Sequence, residues 1–220
     1  DPAVDVYADR VHAGLEAMIG TLTTQNISVQ PAGNPDSALV DGLSVHHTDG
    51  QGAYTQGIVM LGLALSNDLA AVHAGSDVLA GWRYRDILAD MVDALAYSQT
   101  DGPGFNRGGW RYSVATESYD SDNSAVQWAS IGLAAASVAP WNIAAASFVK
   151  RELSIWLTAS QCASGGFAFS SGAGCPVAKH RIFDHRPPRA HSLEECLEMI
   201  EVVTITRRGN VPFLFRRWNA

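Results

Sequence analysis

Residues 86–97 carry apolar side chains at Ile87, Leu88, Met91, Val92 and Leu95, recurring at i, i+1, i+4, i+5 and i+8. Asp86, Asp90 and Asp93 fall on the other side. That spacing predicts an amphipathic helix with one apolar stripe and a solvated acidic face. Residues 148–157 repeat the design. Phe148, Val149, Leu153, Trp156 and Leu157 point inward, and Lys150, Arg151 and Ser154 outward. Residues 58–65 and 126–138 are apolar or small on every side, which predicts helices enclosed on most faces. Gly57, Gly62 and Gly132 lower helix propensity there but allow backbones to approach closely. The predicted order is buried helix, exposed helix, buried helix, exposed helix.

An internal repeat runs through this pattern. Leu61-Gly62-Leu63-Ala64 matches Ile131-Gly132-Leu133-Ala134 at an offset of 70 residues. Tyr97-Ser98-Gln99 precedes a glycine-aromatic turn, and Ala159-Ser160-Gln161 does so 62 residues later. Helical-hairpin repeats cannot bury their faces alone and must stack on neighbours. The expected fold is therefore all-α, an α/α arrangement of inner and outer helices.

Gln161-Cys162-Ala163-Ser164-Gly165-Gly166-Phe167 resembles the glutamine-to-glycine-aromatic turn of squalene–hopene cyclases and protein prenyltransferases. Gln99 with Gly108-Gly109-Trp110-Arg111-Tyr112 is a second copy carrying a longer insertion. Gly109-Trp110-Arg111-Tyr112, Ser121-Asp122-Asn123-Ser124 and Gln127-Trp128 together resemble bacterial and archaeal repeat proteins of that superfamily, many of them secreted or surface-attached. The likeness spans residues 52–179 and is best over 108–166. It implies an α/α-toroid, in which Gln99 and Gln161 would tie helix ends to the following turns through their amides, and Trp110 and Phe167 would plug the gaps between hairpins.

The same resemblance places Asp120-Ser121-Asp122-Asn123 against the Asp-x-Asp-Asp motif of class II terpene cyclases, whose middle aspartate protonates an alkene. Carried over, Asp122 is that general acid, with Asp120 beside it. Asn123 departs from the motif where a second carboxyl would tune the acid. The alternative is structural: Ser124-Ala125-Val126-Gln127 fits a capping box, with Asp120 and Asp122 favouring a helix N-terminus. At 62 to 70 residues per hairpin the chain supplies about three, fewer than a closed toroid takes.

Further candidates come from local composition. Trp110, Arg111, Tyr112, Tyr119 and Trp128 gather between hairpins and could stack on a glycan, a peptide or an isoprenoid chain, or simply pack. His46-His47-Thr48-Asp49, in a glycine-rich stretch, offers three zinc-type donors, and Cys175, His180 and His185 a looser set. Neither matches a firm zinc pattern, so no metal or cofactor is implied. Cys162 and Cys175 bracket a glycine-serine loop. A disulfide there would stabilise by about 3 kcal/mol in the chain-entropy model and imply an oxidising compartment. The alternative is two free thiols.

Charge changes the picture at the C-terminal end. Residues 1–179 hold 30 alanines, 17 acidic and 8 basic residues, whereas 180–220 hold 2 alanines, 5 acidic residues and 7 arginines. Residues 1–179 are expected to form the helical-repeat domain. Residues 180–220 read either as a basic arm behind Pro187-Pro188 or as a non-native or disordered tail. A net charge of −7 argues against a nucleic-acid partner, and no apolar run reaches membrane-span length. A start at Asp1 reads as a trimmed product, part of a longer multidomain chain or of a self-assembly. The leading expectation is a non-catalytic, secreted or surface-linked domain binding a glycan, peptide or lipid-like ligand. An isoprenoid-cyclase fragment using Asp122 comes second, and a polysaccharide-active toroid with a carboxylate pair third.

Overall fold

The computed structural model describes residues 6–170 apart from 105, 117, 118 and 164. It holds five helices: α1 (Ala8–Ile19), α2 (Gly52–Ser66), α3 (Tyr84–Ser98), α4 (Asn123–Ser137) and α5 (Ser147–Ser160). Between α1 and α2 lie β1 (Leu22–Asn26) and β2 (Leu43–His47). They pair antiparallel, with Leu22 opposite His47 and Asn26 opposite Leu43. The architecture is thus mixed, helices with a two-stranded ribbon, and the expected all-α toroid of repeats is incorrect. The ribbon packs mainly through β2 on α3. The strands escape the hydrophobic pattern because each is five residues long and rich in Thr, Ser, Gln and His. Residues 180–220, read as a separate tail, lie outside the described residues.

The expected inside-outside order of the helices is reversed at α3. Residues 87–96 are buried without a break, Asp90 and Asp93 included. Its acidic face is covered by the segment at 36–42, which an amphipathic pattern alone does not reveal. The helices expected to be enclosed all round each keep an open face: on α2, Ile58 is 44% and Leu65 61% exposed. The expectation for α5 matches, with Phe148, Val149, Leu153, Trp156 and Leu157 buried and Lys150 and Arg151 exposed.

Glycine sets the helix spacing. A Cβ on Gly57 would lie 2.2 Å from the Trp128 carbonyl oxygen, and one on Gly132 would lie 2.8 Å from the Met60 sulfur. α2 and α4 therefore touch backbone to backbone. They run parallel: Tyr54 Oη meets Ser124 Oγ at 2.5 Å at one end, and Trp141 Nε1 donates to the Ala64 carbonyl at 2.9 Å at the other. The two repeat glycines hold comparable places, since Gly62 of α2 faces Leu15 and Met18 of α1 as Gly132 of α4 faces α2. α2 ends at Asn67 in the left-handed conformation (φ 53°), one of the few non-glycine residues that tolerates it.

Candidate functional site

The loop between α3 and α4 carries most of the sequence-derived candidates. It is fixed at both ends. Gln99 Nε2 donates to the Gly108 carbonyl at 2.9 Å and to the Val149 carbonyl at 3.1 Å, so the amide ties the end of α3 to its following turn and to α5. Gly108 adopts φ +91°, and a Cβ there would strike the Glu152 carbonyl. Arg107 grips buried Glu152 at 2.6 and 3.0 Å. Its guanidinium, joined by that of Arg151, holds the Glu152 carboxyl below the usual range despite burial. Trp110 is fully buried and donates to the Leu95 carbonyl at 2.8 Å, which makes it a plug between elements and removes it from any exposed aromatic surface. Phe167, expected to plug the next gap, is 37% exposed.

Asp122 is the N-cap of α4. One oxygen accepts from the Ala125 amide at 2.8 Å and from the Ser124 hydroxyl; the other accepts from Arg111 Nη1 at 2.5 Å. The cap falls on Asp122, where the sequence pattern placed it on Ser124, and Gln127 points to solvent. With both oxygens engaged by donors and no exposure, Asp122 has the surroundings of a structural carboxylate. Asn123, the departure from the cyclase motif, has its own reason. Its Nδ2 donates to the Ala168 carbonyl at 2.5 Å and its Oδ1 accepts from Trp156 Nε1 at 2.8 Å. An aspartate could not do both.

The surface beside this cap holds the remaining candidates. Arg111 lies over the Tyr112 ring, 4.3 Å from its centroid, and 3.6 Å from an Asp120 oxygen. Tyr54 of α2, overlooked in the sequence, tilts against Tyr112 at 5.8 Å between centroids. Tyr119 is 96% exposed, and the Asp120 side chain is half exposed. Trp128 is half-buried on α4, with its carbonyl against Gly57.

The histidine pair does not form a metal centre. His46 and His47 stand on β2, where successive side chains point to opposite faces. His46 is buried, and burial, with His47 beside it, lowers its pKa; His47 Nδ1 accepts from the Asp49 amide at 3.1 Å. Among the described residues no three His, Cys, Asp or Glu side chains converge closely enough to hold a metal ion. Cys162 is disulfide-bonded. Cys175, the partner expected from the sequence, lies outside the described residues, as do His180 and His185.

Three features were not anticipated. Asp93 on α3 accepts from the amides of Ser37, Ala38 and Leu39 at 3.0–3.1 Å, fastening the 36–42 segment. Burial pushes its pKa up to about 6 against those amides. His73, also buried, lies 2.9 Å from Glu16 on α1 and 2.7 Å from Asp77, while Tyr84 donates to Glu16 at 2.5 Å. An apolar crevice of about 260 Å³ runs between α4 and α5, lined by Leu133, Ala134, Val138, Val149 and Leu153.

No helix among the described residues is long and apolar enough to cross a membrane. No family model, curated protein or solved structure matches the chain, so the likeness to cyclase-type repeat proteins rests on its residues alone.

Proposed function

We propose that this chain is a non-catalytic binding domain, secreted or surface-linked, that holds a glycan on the face formed by Arg111, Tyr112, Tyr119 and Asp120. The observation that carries this reading is the pairing of an almost fully exposed tyrosine ring with a half-exposed carboxylate and an arginine already fixed by Asp122 and Tyr112. A ring face stacks on the apolar side of a sugar, and fixed charged donors and acceptors take its hydroxyls. The disulfide at Cys162 supports an oxidising compartment. The engaged state of Asp122 counts against proton transfer to an isoprenoid.

Screening the 220-residue chain against a panel of soluble polysaccharides tests the reading. A retained glycan whose affinity falls about tenfold in Tyr119→Ala supports it. Equal binding by the variant, or no binding to any glycan, sinks it. Turnover of squalene that disappears in Asp122→Asn would replace it with the cyclase reading.

A further inference from the structure

Asn26-Ile27-Ser28 is the single Asn-x-Ser or Asn-x-Thr triplet in the 220 residues. Neither the middle residue nor Val29 behind the triplet is proline, so the backbone keeps the freedom to turn an acceptor amide outward. In the fold the triplet stands at the end of β1. Asn26 is the exposed last residue of that strand, and Ser28 is exposed as well. Residues 27–29 are neither strand nor helix. They run between two anchors. The Ile27 amide donates to the Gly42 carbonyl at 3.0 Å, and Gln30 Nε2 donates to the Tyr97 carbonyl at 2.6 Å. The triplet is thus a short surface link, accessible on the folded chain and placed by its ends.

The asparagines differ in what their side-chain amides do. Asn34, Asn106, Asn123 and Asn142 each donate Nδ2 to a backbone carbonyl. Asn26 Nδ2 is committed to no such contact among the described residues. Two bare apolar side chains stand near it, Val29 at 72% and Val40 at 77% exposure. Val40 comes two residues before Gly42, whose carbonyl holds Ile27, so both valines flank this end of the ribbon. Exposed aliphatic groups at the end of an edge strand favour association between chains. A bulky polar substituent on Asn26 shields that end.

We infer that Asn26 is the acceptor of an N-linked glycan, an inference that rests on the secreted part of the reading above. In the transfer, Asn26 Nδ2 bonds to the anomeric carbon of an oligosaccharide carried on a lipid diphosphate. The bond from that carbon to the phosphate oxygen breaks, and the lipid diphosphate leaves with the electron pair. One Nδ2 proton passes to a base of the transferase. Nothing is oxidised or reduced. The Ser28 hydroxyl is the group by which the transferase selects this asparagine.

Expressing the 220-residue chain behind a cleavable secretion signal in a eukaryotic host tests this, with retained and secreted protein both collected. The expected product is a glycosylated chain that peptide N-glycosidase strips, leaving aspartate at position 26 in the peptide mass map. Asn26→Gln and Ser28→Ala are each expected to lose the modification completely, with folding checked by circular dichroism. An unmodified Asn26 overturns the proposal, as does a glycan that persists in Asn26→Gln. The polysaccharide-binding face at Arg111, Tyr112 and Tyr119 is tested apart from this. A chain glycosylated at Asn26 that binds no polysaccharide fails the binding reading alone, and an unmodified chain that binds one fails this proposal alone.

Discussion

Asp90 and Asp93 stand three residues apart on α3, both sealed from solvent, and among the described residues only Asp93 finds donors. Burial, with Asp41, Asp93, Asp86 and Asp36 adding to it, pushes the Asp90 pKa up to about 8. Its ordinary value is 3.8. Between those two values the folded chain holds a proton that the unfolded chain releases. Stability therefore falls as pH rises through this window and levels off above it. Asp90→Asn removes the ionisation. Its stability relative to wild type is expected to rise from pH 4 to pH 8 by a few kcal/mol, on a scale of about 1.4 kcal/mol per pKa unit. Urea unfolding at several pH values measures this, and a constant difference would show that Asp90 ionises freely in the fold. Asp93 remains in both proteins, so its smaller effect of the same sign cancels.

At the scale of elements, the contact between α2 and α4 depends on two missing side chains. In Gly57→Ala the new methyl meets backbone, the Trp128 carbonyl at 2.2 Å, and backbone cannot swing aside as a side chain does. The helices must part, which is expected to cost about 2–4 kcal/mol despite the better helix propensity of alanine. Gly62→Ala meets only the flexible Met18 and Leu15 ends, at 3.2 and 3.6 Å, and is expected to cost less than about 1 kcal/mol. Thermal melts of the two variants measure the difference; similar losses would mean that the helices adjust freely. This contact was legible in the sequence, because glycine inside an apolar helix has few other uses. So was the inward face of α5. The place of α3 was not legible. Periodicity tells which side of a helix is apolar, and it is silent on whether a loop will cover the acidic side, as the amides of 37–39 do here. The capping role at the start of α4 was visible in residue types. Its assignment to Asp122 needed the position of Arg111, which lies eleven residues away in the chain.

For the whole molecule, carboxylates of opposite tendency set the pH of greatest stability. Burial acts to raise Glu16, but hydrogen bonds from Tyr84 and the Ala74 amide, and the charge of His73, hold it below its usual value. Asp77 is lowered chiefly by its hydrogen bond to His73, and Glu152 by Arg107. Groups with lowered pKa stabilise the fold above their unfolded values, 3.8 for aspartate and 4.5 for glutamate, and lose that contribution as pH falls through the folded ones. Asp90 and Asp93 act the other way, costing stability as pH climbs towards about 8 and about 6. The two sets together place the maximum in acid, close to the unfolded carboxylate values, with a decline on either side. They also act at different places. The Glu16–His73–Asp77 cluster joins α1 to the 73–77 segment, whereas Asp90 and Asp93 lie in the central helix. On acidification below about pH 4, α1 is therefore expected to lose hydrogen-exchange protection before α3. His73→Ala should release α1 already at pH 5 and leave the protection of α3 unchanged. Simultaneous loss from α1 and α3 in wild type would mean that the cluster is part of one cooperative unit rather than a separate fastening of the N-terminal helix.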